Sequence, residues 1–177
     1  EEDFVLRQDM ADEWFDSFSK LGSVLGFTIE PIITYEPTMT HSAPLPDTAT
    51  QKDKQINLTE KLSKLNKNDI IVAITKYSAT GPLHSLMEKQ QFRVATLPGV
   101  LPSMAALQAD HKLIAKKAKI LKEKLDKANA AVVTFSTGHE VYFDLRERKA
   151  ILDAGICHKP GEGINLPTGE VFIAPHD

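Results

Sequence analysis

The 177-residue chain is 42% hydrophobic and 25% charged with a net charge of −3, the balance of a folded protein rather than of a disordered segment. That charge gives no electrostatic reason to expect nucleic acid as a partner. The one basic run, over 112–127, is interrupted by acids and carries no aromatic residue, so it reads as the wet face of a helix. No apolar run approaches the ~20 residues needed to cross a bilayer, and no signal-peptide pattern opens the chain. A single cysteine, Cys157, leaves no internal disulfide framework and fits a reducing, cytoplasmic setting.

In chain order, "FVLRQD" (4–9) reads as a short strand, after which Asp9 caps a helix. On that helix Trp14, Phe18, Leu21 and Leu25 form one apolar stripe closed by Gly26. "FTIEPIITYE" is β-prone but broken by Pro31. Residues 36–55, rich in Pro, Ser and Thr without apolar period, read as a long loop, either a surface excursion or a lid. Asn57 with Glu60 makes a capping box that starts a short amphipathic helix through Leu58, Leu62 and Leu65.

"DIIVAIT" (69–75) is an unbroken β-branched run, the pattern of a parallel strand covered on both faces. "GPLHSLMEKQQ" reads as a helix, and "FRVATL" as the next strand, stopped by Pro98-Gly99. A helix over 102–127 follows, with Met104, Leu107, His111, Ile114, Ala118, Leu121 and Leu125 as its stripe; His111 there reads as a core histidine. Beyond Asn129 the texture turns to β, with a hairpin over 130–145 and then strands and loops. Strand, helix and strand in alternation predict an α/β fold: a layered N-terminal domain with a largely parallel sheet over 1–127, then the start of a β-rich second domain over 128–177. About 50 residues are few for a self-standing core, so the second domain reads as incomplete.

The tail concentrates the polar chemistry: Cys157, His158, Glu162, Glu170, His176 and Asp177. Cys157 and His158 are neighbours whose side chains diverge in extended chain, which suits a half-buried thiol better than a nucleophile–base pair. His158 and Glu162 are kept from helical convergence by Pro160, Gly161 and Gly163. Glu170 differs. Pro167 and Gly169 make a stiff turn before the apolar run "VFIAP", so Glu170 stands at the mouth of a predicted strand, a setting for a preorganised metal ligand or for a turn glutamate bonded to nearby amides.

"NLPTGEVFIAP" (165–175) resembles the Asn-x-Pro-Thr-x-Glu-Val-Phe-x-Ala-Pro signature of the aminopeptidase T family, metallo-aminopeptidases with a two-metal centre, and of their diverged relatives. "NDIIVAITKYSATGPLHS", "RVATLPGVLPSM", "VVTFSTGHEVYFDL" and "DAGICHKPGEGINLPTGEVF" are similar to successive segments of those relatives, so the likeness spans roughly 69–177. The resemblance implies a peptide-trimming hydrolase using Zn, Co or Mn, with Glu170 as a metal ligand and Asn165 supporting the turn or facing substrate. Further ligands would lie beyond Asp177, so 1–177 alone would be inactive. Gly169 stands where the peptidases often carry a second glutamate. Some relatives resemble dihydroxypyridine ring-opening dioxygenases with one non-haem iron, the alternative activity. A binding or homodimerising module without catalysis is the third expectation.

Overall fold

The computed structural model describes residues 2–176. It is mixed α/β, with one three-stranded sheet paired in parallel and three antiparallel assemblies. Two compact units divide it. The first takes the chain up to Leu107 together with Cys157–Pro167; the second takes Gln108–Ile156 and the residues from Thr168 on. The junction expected near residue 128 falls within the second unit. Among the described residues no helix is long and apolar enough to cross a membrane.

In the first unit, α1 (Glu2–Leu25) runs unbroken through the segment expected as a strand. Glu2 and Asp3 lie in its first turn, where carboxylates complement the exposed N–H groups and the helix dipole, and Asp9 lies inside the helix rather than capping it. Trp14 meets Phe18 edge-on, with ring centroids 5.8 Å apart, but Leu21 and Leu25 are exposed, so the predicted stripe covers only its first half. Gly26, at φ 80°, donates to Gly22 O at 2.8 Å and ends the helix as expected.

The loop expected over 36–55 is shorter than its composition suggested. β2 (Thr48–Gln51) and β3 (Lys54–Asn57) take up its later part and form a meander with β1 (Ile33–Thr34), which precedes it. Lys52 and Asp53, at φ 50° and 59°, are the two left-handed central residues that a tight two-residue hairpin needs. Asn57 Oδ1 then accepts from Glu60 N at 2.7 Å and starts α2 (Leu58–Ser63). Asn57→Ala should lower unfolding free energy by about 1 kcal/mol, read as a shifted urea midpoint at constant slope; an unchanged midpoint would contradict the cap.

β4 (Ile70–Thr75) and β5 (Arg93–Pro98) pair in parallel over six residues, joined by α3 (Thr80–Gln90). β9 (Gly163–Asn165) adds to the other side of β5, also in parallel, from Val94↔Gly163 to Thr96↔Asn165. Phe92 and Val94 pack against Ala79, Leu83 and Met87, while Leu97 and Val100 pack against Met10 of α1. β4 corrects one expectation: Ile70 and Val72 are 53% and 40% exposed, so that strand is not covered on both faces. An edge strand with alternating exposure gives the same apolar run as a central one.

In the second unit, α4 (His111–Leu125) starts nine residues later than the periodicity predicted. Asp110 Oδ1 accepts from Lys112 N at 3.0 Å and Leu113 N at 3.1 Å, fixing the helix start there, and Ala105–Gln108 form a separate 3-10 turn. Ala118 is buried and His111, Ile114 and Leu125 are half-buried, so the predicted stripe holds within α4 except at the exposed Leu121, with Ala115 buried beside it. β6 (Ala130–Thr134) and β7 (Glu140–Asp144) form the expected antiparallel hairpin. β8 (Ile151–Asp153) pairs antiparallel with β10 (Glu170–Phe172), and both contact α4.

Candidate functional site

Glu170 is the first residue of β10 and lies directly opposite Asp153, the last residue of β8. Directly opposed residues of an antiparallel ladder share a face, with Cβ atoms about 4.5–5.5 Å apart. Successive pairs alternate: Leu152 and Val171 are half-buried, while Ile151 and Phe172 are exposed, with Asp153 and Glu170 on their side of the ladder. Glu170 is exposed, and its side chain has no hydrogen bond or ion pair among the described residues. Asp153 is half-buried, and its Oδ1 accepts from Gly155 N at 3.2 Å while its carbonyl accepts from Thr168 Oγ1 at 3.1 Å. Two carboxylates 17 positions apart in sequence thus come to one face. The expectation that Glu170 sits at a strand mouth behind a rigid turn matches this geometry.

Gly169 explains the turn. Its φ of 132° is closed to ordinary side chains, and a Cβ built there would lie 2.6 Å from Ile114 Cγ2 of α4. A second glutamate at this position would meet both obstacles. Gly169→Ala should therefore destabilise the protein by about 1–3 kcal/mol, measured by thermal or urea unfolding; a variant as stable as the parent would show that the turn relaxes freely.

Asn165 sits in the first unit, at the end of β9. Its Oδ1 accepts from Thr80 Oγ1 at 2.8 Å and from Thr96 Oγ1. Thr80 Oγ1 also lies 2.9 Å from Thr96 Oγ1 and accepts from Ser78 Oγ at 2.8 Å. Thr96 has no solvent exposure. Here Asn165 ties β9 to the carboxyl end of β5 and the start of α3, a polar cluster whose hydroxyls satisfy one another. The residues it joins are 69 and 85 positions away, too far for local spacing to reveal.

The other tail residues serve the local backbone. Glu162 Oε2 accepts from His158 N at 2.8 Å and Lys159 N at 2.9 Å, and these amides, Lys159 N foremost, hold its carboxyl below the usual range. Cys157 Sγ donates to Glu162 O at 3.2 Å, and burial pushes its thiol up, away from the thiolate a nucleophile needs. His176 N donates to Asp144 O at 2.9 Å, and its Nε2 lies 2.6 Å from Arg146 O, tying the tail to the end of β7. The Arg146 side chain, bonded to the carboxylate, holds Asp144 far below its ordinary range. Asp177 lies outside the described residues. His111 Nδ1 is enclosed without a hydrogen-bond partner. Among the described residues no three His, Cys, Asp or Glu side chains converge on one point.

Neither of two hollows among the described residues is lined by Glu170. One of about 530 Å³, in the first unit, is lined by Asp12, Phe15, Ile29, Pro31, Ile32 and Lys52. One of about 270 Å³, in the second, is lined by Asp144, Arg146, Glu147 and His176. No family model matches the chain, and no curated protein or solved structure matches it.

Proposed function

We propose that this chain supplies part of the divalent-metal site of an aminopeptidase-like hydrolase that removes N-terminal residues from peptides, with Glu170 as a ligand. The observation that carries it is the opposition of Glu170 and Asp153 across the β8–β10 ladder. Carboxylates on one face at this spacing lie within bridging reach of a single cation. Carboxylate oxygens suit Mn, Co or Zn. Two side chains are fewer than the three or four protein ligands of a catalytic centre, so further donors come from outside the described residues. When bound, such ions lower the pKa of a shared water, polarise the scissile carbonyl and anchor the free amine of the peptide.

The residues present have supporting parts in this account. Gly169 gives the backbone its turn into Glu170, and the Gly155 amide fixes one oxygen of Asp153. Asn165 anchors β9, from which the chain runs through the cis Leu166–Pro167 peptide toward Glu170. The β4-β5-β9 sheet, with α3 against Val94 and α1 against Leu97, is read as a layered α/β domain. The lone Cys157 favours a reducing, cytoplasmic setting.

In the protein that carries the remaining ligands, release of leucine from a leucyl anilide, restored by Mn, Co or Zn after chelation, is the expected result; no release by that protein with any of the three would reject the hydrolase. Gly169 in the place of a second glutamate favours a second activity, an iron-dependent ring-opening dioxygenase. One ferrous ion per chain and oxygen consumption with a dihydroxypyridine would favour it over two Zn, Co or Mn ions.

A further inference from the structure

Arg7 is 9% exposed on α1, yet the four ion pairs among the described residues, Lys61–Glu30, Lys64–Glu60, Lys122–Asp126 and Arg146–Asp144, leave it out. No hydrogen bond among the described residues reaches its guanidinium either. A guanidinium stays charged at any pH a folded protein meets, and a buried charge without a partner is strongly unfavourable. Among the described residues the fully enclosed, unpartnered side-chain atoms are His84 Nε2 and His111 Nδ1, so the Arg7 nitrogens keep an edge open to solvent. The cation is therefore sheltered, unpaired and reachable.

Its place in the fold adds a second observation. Arg7, Met10 and Trp14 follow the three–four spacing that puts residues on one helix face. Met10 and Trp14 pack with Ile74, Leu97, Val100 and Leu166. Ile74 and Leu97 are next to last in β4 and β5, and Leu166 directly follows β9. That face of α1 thus covers the carboxyl ends of all three parallel strands, the end of an α/β sheet at which ligands bind.

We propose that Arg7 is the anion-receiving group of a binding site at the carboxyl end of the β4-β5-β9 sheet, taking a small oxyanion, carboxylate or phosphate, through its guanidinium fork. The site belongs to the first unit and requires no metal, so it stands or falls apart from the hydrolase. Thermal unfolding is followed in graded sodium acetate and, separately, inorganic phosphate, with chloride keeping ionic strength constant. The parent protein should show a saturable rise in Tm with at least one of the two anions, and the responding arm identifies the oxyanion. Arg7→Met, which keeps the length of the stem, should remove the response. Arg7→Lys, a cation without the fork, should retain charge but weaken the apparent Kd at least tenfold. Titration calorimetry of the parent with the same two salts gives a readout independent of how either variant folds. A parent that responds to neither anion beyond the chloride control, or an equal response in Arg7→Met, would overturn the proposal.

Discussion

Glu170→Gln is expected to lower kcat/KM for a leucyl anilide by at least ~100-fold, because removing a direct ligand should exceed the ~10–100-fold cost of losing outer support to a metal. A loss of that size corresponds to about 2.7 kcal/mol of transition-state stabilisation. Glutamine keeps the shape of the side chain and leaves the β10 backbone pairing intact. Glu170 is exposed and its side chain engages no other described residue, so the folded state should change by only about 0.5 kcal/mol or less. Lost turnover with unchanged stability is the signature of a ligand. A glutamate that only served the turn would give the reverse, intact turnover with a lowered unfolding midpoint. Asp153→Asn should weaken activity less cleanly, since it also disturbs an oxygen bonded to the Gly155 amide.

Phe92→Ala should cost about 3–5 kcal/mol of stability, a large share of the ~5–15 kcal/mol that holds a typical domain. Phe92 has no solvent exposure and sits among Ala79, Leu83, Met87 and Val94, where α3 meets the start of β5. Truncation removes apolar contacts and leaves a void that a helix pinned at both ends closes poorly. One end is held at Gln91, whose carbonyl accepts from Gly161 N at 2.9 Å, and the other at Thr80, whose hydroxyl donates to Asn165 Oδ1 at 2.8 Å. Urea unfolding measures the change; a loss below about 1 kcal/mol would mean that the cluster collapses around the gap and is not the core of the first unit.

Where local chemistry determines local structure, the sequence was a good guide. The β4–α3–β5 alternation shows in its apolar runs and in the Pro98-Gly99 stop, and the β6–β7 hairpin in its paired β-prone segments. The misses have specific causes. Val5 and Leu6 look strand-forming in isolation, but Glu2 and Asp3 favour a helix start and the chain continues as α1. The β2–β3 hairpin was hidden because Lys52 and Asp53 take left-handed backbone without the glycine that usually announces it. The 3-10 turn at Ala105–Gln108 carries leucine spacing into α4 and disguised the break that Asp110 makes.

The candidate site divides the same way. Glu170 was legible because Gly169 and Pro167 mark the bend before a β-prone run. Its opposition to Asp153 was not, because strand pairing between distant segments follows from packing against α4 and not from spacing along the chain. Asn165 was legible as a polar residue beside that bend, yet its threonine partners come from α3 and β5. Arg7 gave no signal, since an arginine in a helix is ordinary until its burial is known.

Anomalous scattering from crystals soaked in manganese tests the account most directly. A peak within about 2.0–2.2 Å of a Glu170 carboxylate oxygen, on the face shared with Asp153 and lost in Glu170→Ala, is the expected result. Manganese bound elsewhere with Glu170 untouched, or a peak that survives the loss of that carboxylate, would contradict it.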